Sequence, residues 1–526
     1  MTKKGESPLS VISAMMAITL IGKALGLVRE ILIGSALGSG AQAAAFNLAS
    51  AIPRNFLDIT FASAISGCFI PVFNSAIAKN GKEEAFKIAN VFITAVLILA
   101  TAITVLLMMF SRPLAAVMGP GNNAATQELT SNLFIITMPI IILSALAFSF
   151  IGILQSMGEF NIPAAMSIVS NGCIIIYCLF FAERFGANGL AAVFLFGWFL
   201  QVLIQLPALM KIKYSFRFSF NFKSPAMLEI AGLILPVMIS TWVMPVNDTV
   251  NIALSSQVSE SAAVAYSKAN VLYSVITGVF VLSVANFVFP KLTRINANEN
   301  DEEFGTTLET VIRSLFYFLI PMAAGLFLLS VPICRMLFLT GKFDENAVMQ
   351  TAEALAYFSF GIIGFGLQSI LSRAFYAQKN AVVPLLTGIC AIAVNFILSS
   401  VLKNYLGVGG PALAVSVSFC LTAGIMLFFM RKKNKRIVNI KMLKDILYIC
   451  ISSGVMAAAV WAVGLLFGKL SIGYGRATDL LWVGSAAAVG AAVYFGCTLA
   501  FRVREAGVAA QVAKGIFRKA VIRKRK

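Results

Sequence analysis

The stretch VFITAVLILATAITVLLMMF, residues 91–110, contains twenty consecutive residues without a charged side chain. Wound as an α-helix, a run of this length crosses a hydrocarbon core of about 30 Å. Comparable apolar runs recur from one end of the chain to the other, whereas a membrane β-barrel would show alternating segments of about ten residues. The sequence therefore predicts an all-α polytopic membrane protein.

Composition agrees with this prediction and excludes several classes of active site. Of the 526 residues, 59% are hydrophobic and only 12% are charged, about half the charged fraction of a soluble domain. The chain has no histidine, which excludes Ser-His-Asp triads and histidine-ligated zinc or haem sites. Its eight cysteines are scattered, so we expect packing roles for them and no metal site. We expect no enzymatic activity and no cofactor.

Fourteen candidate membrane spans follow from the apolar runs. They cover approximately 9–37, 41–76, 85–110, 128–156, 161–182, 187–210, 226–256, 261–293, 305–330, 347–376, 381–403, 408–430, 443–468 and 478–502.

The placement of basic residues predicts the orientation of these spans. With both termini in the cytoplasm, 29 of the 41 Lys and Arg residues fall in inside segments and 7 in outside segments. Cytoplasmic loops carry such an excess of positive charge. A net charge of +19 could suggest nucleic acid as a partner, but the distribution of the basic residues instead predicts a multi-pass protein of the bacterial plasma membrane.

The chain also contains an internal repeat of six spans. Four pairs of matching residues lie 219 to 221 positions apart: Pro71 and Pro290, Phe46 and Tyr266, Pro163 and Pro384, and Gly186 and Gly407. A unit with an even number of spans keeps its orientation, so the halves are predicted to be parallel repeats with a substrate site at their interface. We therefore predict an N-lobe (1–210), a linker (211–225), a C-lobe (226–430), two appended helices (431–502) and a basic tail (503–526). The lobe interface is intramolecular, so a monomer is expected.

The linker and the tail suggest contact with the membrane surface. The sequence KIKYSFRFSFNFK, residues 211–223, alternates aromatic with polar or basic residues. This pattern suits the headgroup level of a bilayer, although a loose cytoplasmic loop is the alternative. The tail places apolar residues four positions apart and ends in Arg523-Lys524-Arg525-Lys526, so it forms either an amphipathic helix on anionic lipid or a disordered tail.

Charged residues inside spans are costly and indicate function. The first span holds Lys23, Arg29 and Glu30. Two cations in a bilayer suit an anionic substrate such as a diphosphate head group, because arginine binds phosphate oxygens in a bidentate manner. The alternative is that Arg29 pairs with Glu30 and only packs the bundle.

Three further charged residues are candidates for the same site. Arg54 and Asp58 in the second span are neighbours on one helix face, either as a structural pair or as part of a cavity wall. Lys268 in the eighth span is a candidate ligand of a substrate phosphate.

The seventh span is a candidate cation site. Pro236 and Pro245 are predicted to break its hydrogen-bond ladder, and Asp248 follows the second proline. Interrupted helices with a carboxylate bind coupling cations in transporters, although a capped restart of the helix explains the pattern equally well. Because the sequence shows no nucleotide-binding loop, the energy is expected from an ion gradient, the membrane potential or the substrate gradient.

Several segments resemble the MurJ (MviN) family of peptidoglycan lipid II flippases, within the multidrug/oligosaccharidyl-lipid/polysaccharide exporter superfamily. They are GKALGLVRE (22–30), FIPVF (69–73), GILQSMGEFNIPA (152–164), LPVM (235–238), NDTV (247–250), GKFDENA (341–347), RAFYAQKNAVVP (373–384) and LGVGGPALA (406–414).

The resemblance implies alternating-access transport of undecaprenyl-diphosphate-linked lipid II across a bacterial inner membrane. It assigns the diphosphate to a cationic cavity with Lys23, Arg29, Glu30 and Lys268. It also implies a sodium site near Asp248 and Asn395. The chain departs from relatives at three places: Ala44 replaces an Asp, Leu57-Asp58 replaces an Arg pair, and Ser399 replaces an acid.

Two alternative functions share this architecture. One is a flippase for another polyprenyl-diphosphate-linked glycan, which needs the same cavity chemistry. The other is a drug/cation antiporter of the same superfamily, which would favour acidic cavity charges, whereas the spans of this chain carry slightly more Lys and Arg.

Overall fold

A computed structural model of the chain describes residues 8–298, 300–434, 437, 439–469 and 475–507, and nearly all of them are helical. The helical segments of the first half are Pro8–Leu37, Ala41–Ala51, Ile52–Leu57, Asp58–Ala64, Ile65–Phe69, Ile70–Asn80, Lys82–Met109, Ser111–Met118, Ala124–Thr137, Ile140–Ser156, Asn161–Phe180, Ala182–Leu203 and Leu206–Lys211. Those of the second half are Pro225–Ser256, Glu260–Ile276, Thr277–Val281, Leu282–Ala297, Asp301–Leu328, Ser330–Phe338, Glu345–Ala377, Val382–Leu406, Gly409–Lys433, Ile440–Lys469 and Arg476–Ala500.

The helices agree with the predicted spans. Each of the fourteen spans coincides with one helix or with consecutive helical segments. Among the described residues, eleven helices are long and apolar enough to cross a membrane. The prediction of an all-α polytopic membrane protein is confirmed, while the number of fourteen crossings stays a prediction.

The internal repeat extends from the sequence to the backbone. The helix Lys82–Met109 corresponds to Asp301–Leu328, and both of its ends shift by 219 positions. Gly186 and Gly407, one of the matched pairs, adopt nearly the same left-handed conformation, with φ of 53° and 49°. The two halves therefore share helix lengths and a specific turn geometry as well as isolated residues.

The second span is continuous but changes its helix type twice. The segments Ile52–Leu57 and Ile65–Phe69 are π-helical. Pro53 lies within the first segment, and Pro71 follows the second by two residues. Inserted π turns are a known cause of helix bending and often occur at functional sites. Arg54 lies on the first of these two π-helical segments.

The seventh span differs from its prediction. The structure has one continuous helix, Pro225–Ser256, across both Pro236 and Pro245, so the predicted interruption before Asp248 is wrong. A proline removes one backbone donor, but in a membrane helix the neighbouring groups can satisfy the freed carbonyl without ending the helix.

The chain forms two compact units. The first comprises Met1–Ser267 and Thr340–Asp344, and the second comprises Lys268–Leu339 and Glu345–Lys526. The helix Pro225–Ser256 thus packs within the first unit. The predicted lobe boundaries at 210 and 226 stay a prediction.

The loop Thr340–Asp344 packs against the end of the first helix. The backbone N–H of Lys342 donates to the Ser35 carbonyl oxygen at 2.8 Å, and the hydroxyl oxygens of Ser35 and Thr340 lie 3.3 Å apart. Gly341 has a φ of 56°, and a Cβ atom there would overlap the Ser35 carbonyl oxygen. The close approach therefore requires glycine at this position.

We expect Gly341→Ala to lower the stability of the protein. A left-handed residue with a Cβ atom and a backbone overlap costs about 1–3 kcal/mol. Thermal unfolding of the purified protein in detergent measures this loss. Gly424→Ala is the matched control, because no atom lies within 4 Å of its added Cβ. An unchanged melting temperature for Gly341→Ala would show that this loop does not pack as described.

A buried ion cluster within the second unit joins the helix Asp301–Leu328 to the helix Ile440–Lys469 and to the residues that follow Arg476–Ala500. Arg313 donates to Glu505 at 2.6 Å, to Glu309 at 3.0 Å and to Asp445 at 3.4 Å. Arg313 and Glu309 are both buried on the helix Asp301–Leu328. Of the predicted tail, residues 508–526 lie outside the described part of the chain.

Candidate substrate site

The first helix, Pro8–Leu37, approaches a neighbouring helix closely at Gly22. A Cβ atom at this position would overlap Ser167 Oγ, and the Asn171 side-chain amide donates to the Gly22 carbonyl oxygen at 3.1 Å. Small residues permit such close helix packing in membranes. The contact therefore brings Arg29, two turns further along the first helix, beside Asn171.

Two guanidinium groups converge on one buried carboxylate. Arg29 Nη2 lies 2.7 Å from Glu30 Oε1, and Arg54 Nη1 lies 3.2 Å from the same oxygen. Arg29 Nη1 also donates to Asn171 Oδ1 at 2.9 Å. These contacts define the Arg–Glu–Arg site, formed by Arg29, Glu30 and Arg54, in which two guanidinium groups share one carboxylate oxygen.

The three charged side chains of the site differ in how far they are exposed. The Glu30 side chain is 6% exposed, whereas those of Arg29 and Arg54 are 19% and 25% exposed. Removing two charged groups from water costs free energy, and a buried ion pair offsets this cost only when it has good geometry and additional hydrogen bonds. Glu30 therefore fixes both arginines, while their outer surfaces remain accessible to a ligand.

The site opens into a cavity of about 390 Å³ within the first unit. Arg29 and Arg54 line it, and Arg29 Nε is buried without a hydrogen-bond partner. The remaining polar and aromatic lining side chains are Ser167, Ser170, Asn171, Gln201, Phe148, Phe194 and Trp198. This arrangement can bind an anion at the guanidinium groups and accept polar and apolar parts of the same ligand beside it.

The structure brings together three of the predicted substrate residues. Arg29 pairs with Glu30, the structural alternative considered for it, yet it also faces the cavity. Arg54 pairs with Glu30 of the first helix; the side chain of Asp58 lies outside the described part. Lys23 is exposed on the first helix and does not belong to the cavity lining.

The other predicted site residues occupy separate positions. Asp248 is half-buried on Pro225–Ser256 in the first unit. Lys268 is buried in the second unit, as is Asn395, whose Oδ1 accepts a hydrogen bond from Ser399 at 3.3 Å. Their roles toward a phosphate or a coupling ion stay predictions.

Uncharged polar residues of the cavity were not singled out by sequence. Asn171 and Gln201 are buried amides on the membrane helices Asn161–Phe180 and Ala182–Leu203. Amide side chains within membrane helices seek partners because lipid offers none. This preference is a sequence signal for both residues, although it gives no information about which helix supplies the partner.

Comparison with known sequences identifies a family. The family model described as lipid II flippase MurJ matches residues 33–474. The chain is 26% identical over 422 residues to a probable lipid II flippase MurJ of Vibrio cholerae, covering 78% of this chain and 80% of the relative. It is 25% identical over 426 residues to a lipid II flippase MurJ of Burkholderia cenocepacia, covering 79% and 82%.

Solved structures show the same fold. A lipid II flippase MurJ in an inward closed conformation aligns with a TM-score of 0.77 at 23% identity, covering 93% of this chain and 98% of the other. An inward-facing multidrug resistance MATE family transporter of the MOP superfamily aligns with a TM-score of 0.68 at 16% identity, covering 80% and 97%. The chain therefore shares the helical fold of these two structures.

Proposed function

Because this chain belongs to the MurJ family of lipid II flippases, we propose that it moves lipid II from the cytoplasmic to the outer leaflet of the bacterial inner membrane. The observation that carries the proposal is the Arg–Glu–Arg site at the cavity. Its two arginines line the cavity and are partly exposed, and such charged donors suit a diphosphate, the most highly charged part of a polyprenyl-linked sugar.

The proposed mechanism separates the polar head from the lipid tail. Arg29 and Arg54 bind the diphosphate from the cytoplasmic side, while the polyprenyl chain stays in the hydrocarbon core. Alternating access then exposes the head group to the outer side. Because Arg29 and Arg54 both contact Glu30, we propose that the site binds an anion less strongly than two cations without a neighbouring carboxylate would, so that release remains feasible.

The membrane arrangement is part of the proposal. The excess of Lys and Arg in alternate loops supports a cytoplasmic position of both termini, and we propose that the monomer is the functional unit. Sodium or the membrane potential is the proposed driving force, with Asp248 and Asn395 as candidates for a coupling ion. The proposed role is transport without chemical conversion of the lipid.

Growth rescue tests the proposed function. We expect expression of this chain to restore growth to bacteria depleted of their own lipid II flippase, because peptidoglycan synthesis then regains its outer-face precursor. Colony formation after depletion measures the rescue, and membrane fractionation controls for expression. If the protein reaches the membrane without rescue and instead exports another polyprenyl-diphosphate-linked glycan, that glycan replaces lipid II as the substrate.

A further inference from the structure

The segment 211–223, here called the linker, combines exposed aromatic and basic side chains. Its basic residues are Lys211, Lys213, Arg217 and Lys223, and it contains no acidic residue. All four cations are exposed. Such a segment has the charge that complements an anionic surface.

Hydrogen bonds hold the linker along a neighbouring helix. The backbone N–H of Arg217 donates to Asn90 Oδ1 at 3.4 Å, and that of Ser219 donates to Thr94 Oγ1 at 3.1 Å. The Tyr214 hydroxyl donates to Asn90 Oδ1 at 2.7 Å. Asn90 and Thr94 lie one helical turn apart on the same face. The linker therefore has a defined path, unlike the loose loop that was the alternative.

Tyr214 fixes one end of this path in the protein interior. The residue is buried, and its ring packs edge-on against Phe86 with 5.2 Å between centroids. Phe86 in turn stacks with the buried Phe73. Burial raises the pKa of the Tyr214 phenol, so the group stays a neutral hydrogen-bond donor at physiological pH.

The remaining aromatic residues of the linker project away from the protein. Phe218 is 68% exposed and Phe220 is 66% exposed, which is unfavourable in water for side chains of this size. Asn90 and Thr94 follow Lys87, the last charged residue before the apolar part of their helix. At 1.5 Å per residue they lie about 5–10 Å beyond that charge, which is the depth of the boundary between headgroups and acyl chains.

We propose that the linker is a binding surface for anionic phospholipid headgroups of the surrounding bilayer. Phe218 and Phe220 insert among the acyl chains, and the four cations contact lipid phosphates. The positive-inside rule places this surface on the cytoplasmic leaflet, where anionic lipids attract basic segments. The inference does not depend on the identity of the transported lipid.

Fluorescence quenching by brominated lipids tests this surface. The full-length Phe218→Trp variant is placed in two nanodiscs of identical phosphatidylglycerol and phosphatidylcholine content, with equal bromine carried by one lipid or the other. The signal of the native tryptophans is subtracted with the parent chain. We expect brominated phosphatidylglycerol to quench the new tryptophan about threefold more than brominated phosphatidylcholine, because headgroup attraction enriches it locally.

Charge removal separates specific enrichment from simple membrane contact. With Lys211, Lys213, Arg217 and Lys223 replaced by glutamine, we expect the two lipids to quench equally. The matched control replaces Arg431, Lys432 and Lys433, exposed cations at the end of another helix, and keeps the preference. Equal quenching in the parental linker, or a preference that survives removal of its four cations, would overturn the proposal. Absence of quenching by either lipid would overturn the membrane contact itself.

Discussion

We expect Arg29→Glu to lower the affinity for lipid II about 100-fold, equivalent to about 2.7 kcal/mol, and to abolish growth rescue. The substitution removes a charged donor from the cavity and places a second carboxylate beside Glu30. The charge at this cavity position then changes from positive to negative. A diphosphate is repelled by the added carboxylate, while Glu30 keeps its contact with Arg54.

Binding of fluorescent lipid II to the purified protein in detergent measures this effect separately from export. The matched control is Arg112→Glu, the same charge reversal at an exposed position outside the cavity lining. It is expected to bind and rescue like the parent. Arg29→Lys is expected to retain part of the affinity, because lysine keeps the charge but loses the bidentate geometry. Unchanged binding by a folded Arg29→Glu protein would remove the Arg–Glu–Arg site from the mechanism.

The second large effect concerns stability. We expect Arg313→Leu to destabilise the protein by about 3–5 kcal/mol, because removing one partner leaves buried carboxylates uncompensated. The side chains of Glu309 and Glu505 are 11% and 9% exposed, and that of Asp445 is 25% exposed. The loss should appear as a lower melting temperature in detergent and as faster proteolysis after Lys469.

Two further variants identify the cause. Lys432→Leu removes an exposed cation from another helix end and is expected to leave the melting temperature unchanged. Neutralising the three carboxylates together with Arg313→Leu should recover part of the stability, because no buried charge then lacks a partner. If the Arg313→Leu variant has the same melting temperature as the parent protein, the ion cluster does not stabilise the packing of the last two helices.

The bilayer explains why the helices could be predicted from the sequence. A lipid environment requires about twenty apolar residues for each crossing helix, so the span at 85–110 was evident and appears as Lys82–Met109. The repeat was also visible, because Gly186 and Gly407 mark the same turn in both halves. Prolines were less informative: Pro236 and Pro245 were predicted to interrupt a helix that continues through both.

The candidate site was predictable in part. Charges inside spans drew attention to Arg29, Glu30 and Arg54, since lipid makes them costly. Their pairing was not predictable, because the contact between Arg54 and Glu30 depends on how two helices pack. Asn171 carries no charge and therefore gave no such signal, and the ion pairs of Arg313 with Asp445 and Glu505 were not predictable because these carboxylates are distant in sequence.

The most direct test of the central claim is to measure lipid II at the outer face of cells depleted of their own flippase. An externally added enzyme that cleaves lipid II reports the exposed fraction. Expression of this chain is predicted to restore the cleaved fraction to that of undepleted cells, and Arg29→Glu at equal membrane abundance is predicted to restore none. Lipid II that remains protected from cleavage, although the parental chain is present in the membrane, would contradict the account.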